Sequence, residues 1–572
     1  MQPSRLVVRP VSLASPEGAI ALPELRPGAP HVAAAHPLPQ NLVARTAGEI
    51  LLVAVLALIP RIFNLLSLPM FLDEATYLEW GQEIMEQKTR AALLIPIIVD
   101  GKQPLFMWLA GAAAYLFPDP LMAGRMVSAL AGVMSAIGLY LAGYWLAGRR
   151  VGLLAGLIYA LVPFSLFYDR MALVEALLNM AGIWTFALSV FIAGRACDTR
   201  RSVIAGVGLG IALGAAIWTK MPAVFMLAFP FLCALLLSRR GNLAVSARGF
   251  AVAAVVFAAL ATPLLMLPDA GNLWEKAGRF SDTPEALLTF PIDRWGDHAL
   301  QYWNWIVTYL PAPLWWLVLA APVWGLVRRT RQTLLLLACW AVFTMPIVLL
   351  AVHQYESRYV SQGVFTLLLM LAALMGSLLE ALRARARRYS SRFASYRPLG
   401  LLAAGVLFLI VMGPALSFDL QLVNTPELAP LAASDHYLFV TGWSAGYGFP
   451  ETVQLVKQRV AELTKDGQPV IVLGYHVWGH AYAGMKLYLR GMPGVFIYLD
   501  SHLARDAEGF MDAWRPHHAP VLIVGNDGSS ELDRLDQFER GVPQAKRIGF
   551  FPKPTGQSSF RVYEVDAADF AR

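Results

Sequence analysis

The ionisable side chains of this 572-residue chain that stand out lie near the ends of long apolar runs. Asp73 and Glu74 are adjacent in Phe71-Leu72-Asp73-Glu74-Ala75-Thr76-Tyr77. Neighbouring carboxylates raise each other's pKa unless cations or hydrogen bonds compensate, and one of them could take a proton as a general base. Lys102 follows in Asp100-Gly101-Lys102-Gln103-Pro104-Leu105, before a short apolar helix, where an ammonium could hold a phosphate as a point charge. Tyr168-Asp169-Arg170 precedes Glu175 and Asn179, which fall inside an apolar run. A carboxylate there needs a cation, and Arg170 is the nearest in sequence. Thr219-Lys220-Met221-Pro222 and His353-Gln354-Tyr355-Glu356-Ser357-Arg358-Tyr359 complete the set. The Arg358 guanidinium can bind a phosphate or pyrophosphate with two parallel hydrogen bonds.

Each motif also has a plainly structural reading. Asp73 caps the helix through residues 77–86, Lys102 snorkels to the interface, Glu175 makes an ion pair between helices and Lys220 is solvated in a loop. Arg358, Glu356 and His353 form a local salt-bridge cluster. Taken together, the motifs place carboxylates and three or four cations on one membrane face. That suits a substrate with an anionic head and a lipid tail. A base beside a phosphate clamp suits transfer of a group off that phosphate.

The elements that must position these groups follow from composition. The chain is 57% hydrophobic and 15% charged, against roughly 45–50% and about 25% in a soluble domain. This excludes a single soluble globule, a disordered chain, a collagen-like repeat and a disulfide scaffold. What remains is a multi-span membrane protein. Apolar runs near the ~20 residues that cross a bilayer fall at 46–66, 123–147, 150–167, 171–193, 202–219, 221–237, 249–267, 300–326, 333–352, 359–380 and 398–416, about eleven spans. The shorter run 104–117 reads as a juxtamembrane or re-entrant helix. Arginines at 149–150, 195–201, 239–240, 328–331 and 383–388 then share one side, which the positive-inside rule makes cytoplasmic. The expected topology has a disordered cytoplasmic tail over 1–45, a membrane domain over 46–416 with its first exterior loop at about 67–122, and a C-terminal domain outside. That is a multi-pass protein of the plasma or inner membrane.

Residues 417–572 change character. Strands are expected at 437–441, 470–474, 495–499, 521–525 and 560–565. They alternate with helices at 450–465, 480–490, 503–514 and 530–540, an α/β domain with a mainly parallel sheet. This segment carries 14 basic and 18 acidic residues, so the overall charge of +7 reflects basic cytoplasmic loops and lipid headgroups rather than a nucleic-acid footprint. Trp443, Tyr447, Tyr475, His476, Trp478 and His480 could stack on sugars or pack a core. The Gly442–Gly448 loop is expected to face the membrane domain.

The order of FLDEATYLEW, KQPLFMWLAGAAAYLF, the arginine-bounded run ending in FYDRMALVEALL, IWTKMP and ESRY resembles the C-type glycosyltransferase superfamily. The nearest branch is the protein O-mannosyltransferase and lipid A aminoarabinose transferase group, over residues 46–380. The resemblance implies a helical membrane fold with juxtamembrane helices in the first exterior loop. It also implies inverting transfer of a sugar from a polyprenyl-phosphate donor to a lipid, glycan or protein acceptor at the non-cytoplasmic face. Asp73 corresponds to the acidic base, with Glu74 beside it. Lys102, Arg170, Lys220, Arg358 and Tyr359 correspond to donor-phosphate contacts, with Glu175 and His353 in support. Gln103 stands where the family's Lys-Pro-Pro-Leu has its first proline. The cations can neutralise a phosphate without a metal, so no cofactor is required; a divalent metal is compatible but not indicated. An oligosaccharyltransferase with a diphosphate-linked donor and a lipid-linked sugar transporter or flippase are the alternatives.

Overall fold

The computed structural model describes residues 40–89, 91–196, 198–352, 354–389, 397–465, 467–475, 479–499, 507–527 and 532–571. The expected tail lies outside them up to residue 39, as do His353, His476 and Trp478. Met1–Gly48 separates as a unit of its own, described only from the start of α1 (Gln40–Ile62); Glu49–Arg572 forms one compact unit.

Within that unit, α2 (Leu72–Gln87), α3 (Ile95–Asp100) and α4 (Leu105–Ala113) precede the long α5 (Pro120–Ala147). Then come α6 (Arg149–Leu161), α7 (Pro163–Asp169), α8 (Val174–Gly194), α9 (Thr199–Thr219), α10 (Ala228–Leu237), α11 (Leu243–Leu265) and α12 (Ala270–Ala277). The membrane region closes with α13 (Ile292–Tyr309), α14 (Leu314–Val327), α15 (Arg331–Leu350), α16 (Ser357–Val360), α17 (Val364–Tyr389) and α18 (Arg397–Asn424). Seven helices among the described residues are long and apolar enough to cross a membrane, or nine if each of two bent pairs counts as one span. The chain is therefore a multi-pass membrane protein. The expected eleven also counted α1, which carries Arg45, Glu49 and Arg61, and the shorter apolar stretch Met221–Leu237.

The bent pairs break at prolines, which lack the N–H that would continue a helix. Pro163 separates α6 from α7 at 59°. The run 300–326, expected as one span, is instead α13 and α14 meeting at 116° across Pro311 and Pro313. The run 104–117 forms the short α4 alone, packed on α2. A Cβ on Gly111 would lie 2.3 Å from the Gly81 carbonyl oxygen, so only glycine lets these two backbones touch.

The C-terminal region holds α19 (Ala433–His436), α20 (Phe449–Leu463), α21 (Met485–Leu489), α22 (Ala507–Trp514) and α23 (Leu532–Gly541) around one sheet. Its strands β1 (Val470–Gly474), β2 (Val495–Leu499), β3 (Val521–Asn526), β4 (Lys546–Pro552) and β5 (Ser559–Val565) lie in the order β2-β1-β3-β5-β4. β1 pairs parallel with β2 and β3, while β5 pairs antiparallel with β3 and β4. The sheet is thus mixed, and β4 was missed: it is a partly exposed edge strand without the continuous apolar run of β1 or β3. The strand expected at 437–441 is a π-helical turn continuing α19. Its aromatic, β-branched composition serves packing instead, with the Phe439 ring 4.6 Å from Phe71 and 5.0 Å from Phe167.

The Gly-rich loop does face the helices. Ser444 O accepts from the Leu72 amide at 3.1 Å, and a Cβ on Gly446 would fall 1.9 Å from Met70 O. The buried His480 pairs its Nε2 with the same Met70 oxygen at 2.7 Å, so it holds backbone rather than facing a groove; Tyr475 lies in the sheet core. Gly446→Ala must push the loop off α2's N-terminus. We expect a loss of about 1–3 kcal/mol, the range for overpacking, read as a lower thermal unfolding midpoint in detergent; an unchanged midpoint contradicts the clamp.

Candidate active site

The first turn of α2 separates the two adjacent carboxylates. Consecutive helix residues point about 100° apart, from 3.6 residues per turn, so Asp73 and Glu74 face different neighbours. Phe71, not Asp73, is the N-cap residue, and Glu74 Oε2 turns back to accept from the Phe71 amide at 2.8 Å. Arg125 of α5 holds Glu74 with two hydrogen bonds of 2.8 and 2.7 Å. The Ala172 amide gives Glu74 another at 2.6 Å, and its side chain is fully buried. Arg125 also donates to the carbonyls of Leu65, Leu68 and Pro69. Glu74, expected beside the base, is therefore a buried lock joining α2, α5 and the turn before α8.

Asp73 faces the other way. Its Oδ2 accepts from Arg358 Nη1 at 2.6 Å, and its side chain stays 17% exposed, open enough for a ligand to reach. Among the described residues Oδ1 accepts no hydrogen bond. Burial pushes the Asp73 carboxyl up, but the charges of Arg358, Lys102 and Lys220, with the Arg358 hydrogen bond, hold it below the usual carboxylate range. Lys102 lies 3.1 Å from Asp100, with its ammonium 5.0 Å from the centroid of the Tyr77 ring. Burial works against its charged form, yet Tyr77, Asp73 and Asp100 outweigh it and raise the Lys102 pKa.

Lys220 follows the last residue of α9 and donates to Glu175 Oε1 at 2.5 Å; Glu175 sits in the first turn of α8. The Lys220 ammonium is also 4.3 Å from the Tyr359 ring, over which Arg358 stacks at 5.2 Å. Glu356 is a second carboxylate partner of Arg358. Helix packing thus gathers Asp73, Lys102, Lys220, Arg358, Tyr359 and Glu175 from five stretches of chain. An ammonium has three donors and a guanidinium five, so these cations keep capacity for an anion. Among the described residues no three His, Cys, Asp or Glu side chains group as a metal site.

Two expectations need correction. Arg170 does not reach the cluster: it donates to the carbonyls of Pro60, Phe63 and Asn64 at 2.6–2.8 Å, capping the end of α1. Glu175 pairs with Lys220 and not with Arg170, because the break between α7 and α8 turns the two apart. His353 falls outside the described residues.

Sequence reasoning missed Arg125 and Arg61. Arg61 forms a fully buried pair with Asp169 at 2.7 Å. Both arginines lie within apolar windows, where a charge always needs a partner, and that was the available signal. It also missed Asp435, in α19 at the start of the C-terminal region. Asp435 Oδ2 accepts from Ser357, next to Arg358, at 2.6 Å and from Tyr309. Burial raises the Asp435 carboxyl to about 6, against the hydrogen bonds of Ser357 and Tyr309.

The bent helical bundle carries an acid–cation cluster at its helix ends and is followed by a small mixed sheet. Residues 101–266 match the family model described as dolichyl-phosphate-mannose-protein mannosyltransferase. ArnT from Cupriavidus metallidurans in the apo state is similar with a TM-score of 0.55 at 15% identity, covering 91% of this chain and 98% of that one. The same protein bound to undecaprenyl phosphate is similar at 0.54 and 15%, over 90% and 98%. Archaeal oligosaccharyltransferase AglB from Archaeoglobus fulgidus, in complex with an inhibitory peptide and a dolichol-phosphate, gives 0.52 and 12%, over 91% and 74%. No curated protein sequence matches the chain. The fold is thus similar to that of ArnT and AglB, and residues 101–266 are similar to the mannosyltransferase family model.

Proposed function

We propose that this protein is a glycosyltransferase that moves a sugar from a polyprenyl-phosphate carrier to an acceptor hydroxyl at the non-cytoplasmic face, with inversion. The observation that carries this reading is Asp73, ionised and partly open, held 2.6 Å from Arg358 with Lys102 and Lys220 alongside. The undecaprenyl phosphate of the similar ArnT structure and the dolichol-phosphate of AglB support a lipid-phosphate donor.

In this mechanism the acceptor hydroxyl gives its proton to Asp73 Oδ1 while its oxygen attacks the anomeric carbon from the face opposite the phosphate. The bond from that carbon to the phosphate oxygen breaks, and the electron pair leaves with the phosphate. Lys102, Lys220 and Arg358 neutralise the growing negative charge; preorganised cations are worth most where charge develops in the transition state. Glu175 and Tyr359 orient Lys220. The exterior placement of the C-terminal domain and a cytoplasmic N-terminus belong to the same proposal.

The test is full-length protein in proteoliposomes loaded with an undecaprenyl-phosphate-linked sugar and envelope acceptors. Consumption of the lipid-linked sugar with a glycosylated product is expected. Movement of the intact carrier between leaflets without product would mark a transporter.

Asp435 is a positioning residue here, since its hydrogen bond is with Ser357, the residue before Arg358, and not with Arg358 itself. Falling pH protonates Asp435 near 6, whereas Asp73 stays ionised to lower pH. Wild-type turnover should therefore show an acidic limb near pH 6. Asp435→Asn, which mimics the protonated state, should lack that limb and run about tenfold slower at neutral pH, the worth of one weakened hydrogen bond. A pH–rate profile unchanged by the substitution excludes this role.

A further inference from the structure

A cleft of about 550 Å3, open to the surface, lies at the far end of α2 from Asp73. There the last turns of α2 and α4 and the start of α5 meet α20 and α21 of the C-terminal region. Its walls are neither apolar nor of one charge. Tyr115 is 71% exposed, an unpacked aromatic ring at the rim. Across the cleft the Lys457 ammonium sits 5.4 Å from the Tyr488 ring centroid, and no carboxylate among the described residues pairs with that lysine. Arg490 lies 2.6 Å from Glu86, and Asp119 caps α5 through the Met122 amide at 2.9 Å.

Two tyrosine rings beside both donors (Lys457, Arg490, Gln82) and acceptors (Glu86, Asp119) match a polyhydroxyl ligand, whose hydroxyls both give and take hydrogen bonds. A lipid tail would strip water from the Lys457 ammonium without replacing it, and a lone phosphate would meet Glu86 and Asp119. The walls are braced against each other. Lys486 of α21 bridges Glu79 at 2.6 Å and Glu83 at 2.8 Å, and Arg490 adds Glu83 at 3.0 Å. Thirteen residues of α2 separate Asp73 from Glu86, about 20 Å at 1.5 Å per residue.

We propose that this cleft binds the saccharide portion of an extended glycan acceptor, several sugar units from the hydroxyl that Asp73 deprotonates. The proposal rests on the glycosyltransferase reading and names the acceptor class for it. The test places the photoreactive residue benzoylphenylalanine at position 115 of the full chain, whose exposed side chain tolerates replacement, and irradiates cells that make their own envelope glycans. Mass spectrometry of the cross-linked peptide should find carbohydrate adducts, equally with wild-type Asp73 and in Asp73→Asn. Lys457→Glu with Tyr488→Ala should lower the adduct yield and raise the acceptor KM, each about tenfold, with the KM for the lipid-linked sugar unchanged. Phospholipid or peptide adducts alone, no adduct, or an unchanged acceptor KM in the double variant overturns the cleft assignment. Carbohydrate adducts from a protein that transfers no sugar in proteoliposomes overturn the enzymatic reading and leave the cleft standing.

Discussion

Asp73→Asn is expected to lower the rate of sugar transfer by about 10²- to 10⁴-fold, the usual worth of a positioned general base, while binding of polyprenyl phosphate is kept or tightened. The amide of asparagine has no carboxylate to receive the acceptor proton. The substitution also removes one negative charge from beside Lys102, Lys220 and Arg358, so the cluster becomes more attractive to an anion. These two effects have opposite signs, which makes the result diagnostic. Single-turnover rates and equilibrium binding of undecaprenyl phosphate, measured on the same preparation, separate them. Turnover at the wild-type level in Asp73→Asn sinks the assignment of the base. Loss of rate together with loss of donor binding assigns Asp73 to organising the cations instead.

Arg125→Met should cost about 3–5 kcal/mol of stability, the range for removing one partner of a buried ion pair. Glu74 would be left in a fully buried site with only the Phe71 and Ala172 amides as partners. The carbonyls of Leu65, Leu68 and Pro69 would lose their donor as well. Replacing both members, Glu74→Met with Arg125→Met, should recover a large part of the loss, because no uncompensated charge then remains. Thermal unfolding in detergent reads all three proteins. The same series separates the adjacent carboxylates. Glu74→Gln should lower the unfolding midpoint, with activity falling only as far as folded protein is lost. A stable Glu74→Gln protein without activity returns Glu74 to the chemistry.

Much of the site was legible because ionisable groups in apolar surroundings are costly and few. Asp73, Lys102, Lys220 and Arg358 stand out in the sequence for that reason, and the structure gathers them. Partners were not legible. Arg170 is five residues from Glu175, and proximity in sequence suggested the pair; the cation that reaches Glu175 is Lys220, 45 residues on. Asp73 meets Arg358 across 285 residues. The C-terminal sheet was read correctly where strands are buried apolar runs, as in β1 and β3. It was misread where composition and burial part company, as in the exposed β4 and the π-helical 437–441.

The sequence by itself determined the solvent of each segment. Hydropathy and charge are sums over local residues, so they separate a multi-pass membrane domain from a polar α/β region without any knowledge of contacts. They also single out the groups that must have a reason to be there. Only the tertiary structure decided which partners each group meets. The direction of a side chain depends on helix phase and on which helix lies opposite. That is why neighbouring Asp73 and Glu74 part, one toward the open cation cluster and the other into a buried lock with Arg125, and why Arg170 is spent on backbone carbonyls.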